Sequence, residues 1–183
     1  MPEIIAHRGA SFDAPEKTLE SFQLGLDQGA DAIECDVRLS RDGELVVIHD
    51  PTLQRVANVK QTVEGMTLAG LQALDAGSWK SAKWKGAQIP VLAAVLDVVP
   101  ADRRILIEVK VGRAALPRLK EVLAATALPR SQVIVMEFDL ETVIAMRSAF
   151  PDLEVLWLND FPLLSPPWKK RQMIRENIGI AKR

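Results

Sequence analysis

Four short stretches bring together residue types able to do chemistry: His7-Arg8, Glu34-Cys35-Asp36, His49-Asp50 and Glu108-Val109-Lys110. In a β-strand, residues two apart share a face, so Glu34 projects with Asp36, and Glu108 with Lys110. Two carboxylates on one face of an otherwise apolar strand are costly to bury unless something positive lies between them. Three carboxylates without a thiolate partner suit a hard divalent cation, Mg²⁺ or Ca²⁺, rather than zinc. His7 and His49 are the only two histidines, and imidazoles serve as acid and base near neutral pH. Arg8 and Lys110 supply positive charge for an anion, and phosphate is the anion that a metal, an arginine and a lysine together usually serve. The chemistry so indicated is metal-assisted cleavage of a phosphate ester. A single histidine or glutamate at a strand end is ordinarily just hydrogen-bonded or solvated. Recurrence at four strand ends is what points to function.

The elements that must position these groups follow from periodicity and punctuation. Strands are expected over residues 3–6, 32–39, 44–49, 104–110, 132–138 and 153–158. Helices are expected from Thr18 or Glu16 to Gly29, over 67–74, 91–99, 115–127 and 140–150. Alternating strands and helices call for a largely parallel sheet with helices outside, with sites at the carboxyl ends of its strands. The turn at Arg41-Asp-Gly43 is too short for a crossover helix, so the second and third strands form a hairpin. Residues 51–88 are too long for a routine connection and read as an insertion or cover. The remainder, 159–183, reads as an irregular and helical tail. Its basic run from Lys169 is a solvated helix face in preference to an anion site. By length, 1–183 is one domain.

Composition narrows the partners. With 23 basic and 24 acidic residues and a net charge of −1, nothing directs the chain to nucleic acid or to an anionic membrane. The single cysteine, Cys35, excludes an internal disulfide and a thiolate zinc cluster, and its aliphatic neighbours read as those of a buried, inert thiol. No signal peptide opens the chain and no apolar run is long enough for stable membrane insertion. The expectation is a cytoplasmic protein acting on a small molecule, with oligomerisation left open.

The motifs resemble those of the glycerophosphodiester phosphodiesterase family. They are Ala6-His-Arg-Gly-Ala, Ala14-Pro-Glu-Lys-Thr-Leu-Glu-Ser-Phe, Gly29-Ala-Asp-Ala-Ile-Glu-Cys-Asp-Val, Val47-Ile-His-Asp-Pro-Thr-Leu, Leu74-Asp-Ala-Gly-Ser-Trp, Ile89-Pro-Val-Leu and Ile107-Glu-Val-Lys. The likeness covers residues 4 to 158. It implies an α/β fold, a TIM-type (β/α)8 barrel with a small insertion after the third strand, and hydrolysis of glycerophosphodiesters to an alcohol and sn-glycerol 3-phosphate. By the same resemblance His7 and His49 match the catalytic pair, Glu34, Asp36 and Glu108 the ligands of a divalent cation, and Arg8 and Lys110 the phosphate-contacting cations. One histidine would protonate the leaving alkoxide. The other would activate the attacking group, for which the substrate's own glycerol hydroxyl is a candidate.

Three departures accompany the likeness. Lys17 stands where the family usually has Asn, and is expected either to alter the loop beside Glu16 or to face solvent. Glu137 stands where a Ser is common, as a fourth carboxylate near the site or a satisfied strand-end residue. Six strands fall short of a closed barrel, which typically takes about 250 residues. The C-terminal strands are therefore expected from a longer chain, or else from a partner. Two rival readings remain open. Trp79 and Trp84 with neighbouring lysines could meet a lipid interface, making the substrate a lysophospholipid or other alkyl phosphodiester. Alternatively, an incomplete barrel could be an inactive phosphate- or metal-binding module.

Overall fold

Strand alternation sorts the hydrophobic residues onto two faces of one sheet. The computed structural model describes residues 2–159. Its strands are β1 (Ile5–His7), β2 (Ala32–Leu39), β3 (Leu45–Val47), β4 (Arg104–Val109), β5 (Val133–Glu137) and β6 (Glu154–Trp157). Its α-helices are α1 (Leu19–Asp27), α2 (Gln54–Ala57), α3 (Leu68–Gln72), α4 (Leu92–Asp97), α5 (Leu116–Ala125) and α6 (Leu140–Ala149). Ile33, Cys35 and Val37 of β2, Ile105, Ile107 and Val109 of β4, and Val133 and Val135 of β5 meet helix residues such as Phe22, Leu119, Leu123 and Met146 in the main core. The opposite face carries Ala32, Leu106, Ile134 and Met136, with Leu156 and Leu158 against them. Glu34, Asp36 and Glu108 follow on this second face toward the carboxyl ends of their strands.

Five strands run parallel in the order β1-β2-β4-β5-β6, and β3 pairs antiparallel with β2. The expected hairpin is present, with Val37 opposite Val47 and Leu39 opposite Leu45. Gly43 takes its turn at φ 84°, a conformation that costs glycine little. All six expected strands are found, but only five belong to the parallel wall. Among the described residues the sheet does not close on itself. This is the strand and helix order of an opened (β/α) barrel. The residues 160–183, including the basic run, lie outside the described residues.

Local signals explain the helix boundaries. Thr18 caps α1, its hydroxyl accepting the Ser21 N–H at 3.3 Å, and Gly29 ends the turn beyond it at φ 91°. Asp139 caps α6 in the same way, accepting the Thr142 N–H at 2.8 Å. Residues 51–88 contain two short α-helices, α2 and α3, and a 3₁₀ turn at Ala82–Trp84, where one helix was expected near 67–74. The four residues of α2 make a single turn, too short to register as a period. Leu53, Val56, Val63, Leu71 and Ala76 of this insertion form a second core with Val46 of β3, Ile48 and Ile89. Two tethers bind it to the β1–α1 loop: Lys80 Nζ donates to the Ser11 carbonyl at 2.8 Å, and Trp84 Nε1 to the Asp13 carbonyl at 3.2 Å.

Candidate active site

Sheet register assembles the acidic cluster. Asp36 stands beside Glu108 across β2 and β4, and His7 beside Glu34 across β1 and β2. Glu34, Asp36 and Glu108 are 4 %, 1 % and 8 % exposed. One oxygen from each lies within 4.8 Å of the others. Lys110 ion-pairs with Glu108 and reaches Asp36 Oδ1 at 3.3 Å.

Lys17 also stands in this cluster. Its Nζ lies 3.0 Å from Glu34 Oε2 and 2.5 Å from Asp36 Oδ2, and the side chain is 3 % exposed. The expectation that it faces solvent is thereby corrected. The chain turns left-handed at Lys17, φ 64°, where its N–H donates to the Arg8 carbonyl at 3.2 Å. That turn sends the side chain inward, where buried carboxylates require a cation.

Three carboxylates against two ammonium groups leave one net negative charge in the cluster. Glu34 Oε1 is buried and accepts no hydrogen bond from the described residues, while Asp36 Oδ2 pairs with the Lys17 ammonium. A buried carboxylate oxygen lacking a donor, in a group of three carboxylates, fits a hard divalent cation, and Glu34, Asp36 and Glu108 are the residues that would hold it. The electrostatics differ within the cluster. Burial pushes Asp36 up, but Lys17 and then Lys110 outweigh it and the carboxyl ends below its usual range. Burial holds Glu108 above its range, with Lys110 opposing and Asp36 adding to the rise. Lys110 is raised, its burial offset by Glu108 and Asp36.

The two histidines reach the cluster differently. Arg8 and Gly9 are both left-handed, φ 64° and 77°, and the Arg8 N–H donates to Glu34 Oε2 at 3.0 Å. His7 thus projects over Glu34, its Nε2 3.7 Å from Oε2, with the ring 70 % exposed. His49 was expected at a strand carboxyl end like the other groups. It does follow β3, but β3 runs antiparallel, so the chain returns along β2 from its far end. The Ile48 N–H donates to the Asp36 carbonyl at 3.0 Å, which brings His49 back to the level of the carboxylates. Its Nδ1 lies 2.7 Å from Asp50 Oδ1, and Arg38 Nε donates to its carbonyl at 2.9 Å.

Behind His49 runs a chain of charged groups that the sequence did not reveal. Arg55 of α2 donates from Nε to Asp50 Oδ2 at 2.6 Å and from Nη2 to Glu16 Oε1 at 2.9 Å. Glu16 Oε1 also accepts from Arg8 Nη1 at 3.1 Å. Hydrogen bonding from Arg55 holds Asp50 down at about 2, against the opposing effect of burial. Glu16 is likewise lowered: burial raises it, and Arg55 and Arg8 more than offset the rise. Arg8 was expected to contact phosphate; here its guanidinium is paired with Glu16, while Lys110 remains at the carboxylates. The only available sequence signal for Arg55 was its place five residues after Asp50.

Other expectations resolve simply. Glu137 accepts the N–H of Phe138 at 2.7 Å, and strand alternation sets it on the face opposite Met136. It is a satisfied strand-end residue and adds no fourth ligand to the cluster. Both insertion tryptophans are anchored: Trp79 Nε1 donates to the Ala76 carbonyl at 2.8 Å, and Trp84 tethers the insertion as described. Cys35 is fully buried, and burial pushes its thiol up, as an inert thiol requires. Among the described residues no helix is long and apolar enough to cross a membrane.

The chain is similar to known proteins over most of its length. The model of the glycerophosphoryl diester phosphodiesterase family matches residues 7–175. A glycerophosphodiester phosphodiesterase of Caldanaerobacter subterraneus subsp. tengcongensis is 35 % identical over 167 residues, covering 89 % of this chain and 69 % of the relative. The crystal structure of a glycerophosphodiester phosphodiesterase from Agrobacterium tumefaciens superposes with a TM-score of 0.77 at 35 % identity, over 85 % of this chain and 66 % of that one. An Oleispira antarctica phosphodiesterase in complex with the product sn-glycerol-3-phosphate gives 0.80 at 29 % identity, over 96 % and 72 %. The chain spans about two thirds of the length of these relatives.

Proposed function

Because this chain belongs to the glycerophosphoryl diester phosphodiesterase family, we propose that it hydrolyses glycerophosphodiesters to an alcohol and sn-glycerol 3-phosphate, with Glu34, Asp36 and Glu108 holding a divalent cation and His7 and His49 as acid and base. The observation that carries the reading is the group of three buried carboxylates with a histidine on each flanking strand connection. His7 overhangs Glu34, and the Ile48–Asp36 backbone hydrogen bond brings His49 to the level of Asp36.

A bound Mg²⁺ or Ca²⁺ would supply charge neutralisation at the phosphoryl oxygens. The protein residues do the rest. A carboxylate only accepts, so His49 Nδ1 carries its proton toward Asp50 and Nε2 is left free to take or give one. Asp50 is itself fixed by Arg55, which makes His49 the better-oriented of the two rings. It fits the part of base toward water or the glycerol hydroxyl. His7, largely solvent-exposed, fits the part of acid toward the leaving alkoxide. Lys110 supplies positive charge beside the carboxylates, and Arg8 completes the cationic side once it is drawn from Glu16 to phosphate. The reading extends to a cytoplasmic enzyme acting on a small molecule.

The test is release of sn-glycerol 3-phosphate from glycerophosphocholine with Mg²⁺, with Ca²⁺ and with EDTA. Release in the presence of either metal and its loss in EDTA is the expected result. Release that EDTA leaves untouched would remove the metal. Absence of release in every condition, with metal still bound, would favour the binding-module reading, and preference for a lysophospholipid would favour the alkyl phosphodiester.

A further inference from the structure

We propose that Lys17 is a tethered cation that competes with the divalent ion for Glu34 and Asp36 and so sets the metal affinity of the carboxylate cluster. The inference rests on the metal reading above and adds to it a residue that acts against the metal. Its basis is position. The Lys17 ammonium contacts two of the three carboxylates at 3.0 and 2.5 Å, and its side chain is only 3 % exposed. Lysine is rarely buried unless paired, so this is a built location and not a surface side chain resting on a neighbour.

The backbone supports the same conclusion. Only Arg8, Lys17 and Asn58 among the described non-glycine residues have positive φ, and two of these three flank the cluster. Left-handed backbone is unfavourable for lysine, and here it aims the side chain into the acidic cluster. Lys110 already neutralises Glu108 and Asp36 from the other side. Lys17 therefore adds positive charge where an entering dication needs oxygen ligands.

Yet the ammonium does not satisfy the whole cluster. Glu34 Oε1 is buried and accepts no hydrogen bond from the described residues, so an oxygen ligand remains for a cation of higher charge. Both cations draw on the same Glu34 and Asp36 carboxylates. Mutual repulsion between an ammonium and a dication a few ångströms apart then weakens whichever binds second.

The experiment is calorimetric titration of Mg²⁺ and of Ca²⁺ into the wild-type chain, Lys17→Asn and Lys17→Arg, with Glu108→Gln as a control for the cluster. Asparagine tolerates left-handed backbone, so Lys17→Asn keeps the turn while removing the charge. We expect Lys17→Asn to bind roughly ten- to a hundred-fold tighter than wild type, from the removal of one nearby unit charge, and Lys17→Arg to bind no tighter. Equal or weaker binding by Lys17→Asn overturns the proposal. If that equal binding disappears in Glu108→Gln, the metal reading survives while the role of Lys17 falls. Absence of binding in all four proteins overturns both.

A second measurement needs no variant. Amine-reactive labelling of Lys17 in the wild-type chain, read by mass spectrometry, should accelerate on saturation with Ca²⁺ as the ammonium is displaced. Labelling that saturating Ca²⁺ leaves unchanged overturns the competition even where Lys17→Asn fails to fold.

Discussion

Asp36 on β2 and Glu108 on β4 are direct neighbours in the parallel ladder, and the single ammonium of Lys110 pairs with both. Asp36 sits below its usual range and Glu108 above it, so of the two Asp36 is the carboxylate that its surroundings hold more firmly in the charged form.

Asp36→Asn should therefore destabilise the fold more than Glu108→Gln. It leaves Lys17 and Lys110 near one another with an anion removed between them, and breaking a buried pair typically costs about 3–5 kcal/mol. Denaturant midpoints compare the two variants directly. Equal losses would mean that the two carboxylates share the anchoring role.

Replacing either histidine should separate activity from stability. His7→Ala and His49→Ala should each lower kcat by about 10²- to 10⁴-fold, the usual contribution of a general acid or base. Neither ring is buried, at 70 % and 32 % exposed, so unfolding midpoints should move little. A variant that keeps most of its turnover takes that histidine out of the mechanism.

Arg55 sets the charge behind His49. Asp50, held at about 2 in the folded chain and ordinary when unfolded, contributes stability present above pH ~4 and lost as pH falls through about 2. Arg55→Ala should return the Asp50 midpoint toward the ordinary value, so that the carboxylate is lost earlier on acidification. Carboxyl-carbon chemical shifts followed from pH 6 to pH 2 report this. A midpoint that stays near 2 would assign the effect to His49.

Gly9 admits no side chain. A Cβ there would lie 2.6 Å from the Ser21 carbonyl carbon and 2.7 Å from its oxygen, at a φ of 77°. The left-handed backbone alone costs about 1–2 kcal/mol for alanine, and the clash with α1 adds to it. Gly9→Ala should lower thermal stability and, by shifting the Arg8 turn, disturb His7 as well. An unchanged melting temperature would show that α1 can move aside.

Local pattern made most of this architecture legible. Ile33, Cys35 and Val37 against Glu34 and Asp36 announce a strand with one apolar and one acidic face, because side chains alternate with a period of two. Thr18 and Gly29 mark the ends of α1 by satisfying or releasing backbone groups, a local matter. His7, Glu34, Asp36, His49 and Glu108 could be named as one set because they recur at the ends of strands. The antiparallel course of β3 followed from the brevity of the Arg41–Gly43 turn.

What the sequence could not decide were pairings between residues far apart in the chain. Lys17 and Glu34, Arg55 and Glu16, and Trp84 and Asp13 meet only because loops from different strands converge at one end of the sheet. A buried lysine and a solvated one look alike in a list of residues; only the enclosing carboxylates distinguish them. The sequence by itself determined which groups can do the chemistry and on which face they stand, since those depend on side-chain type and backbone period. Tertiary structure alone decided which cation faces which carboxylate, because Coulomb energy depends on distance and burial, and neither is a local property of the chain.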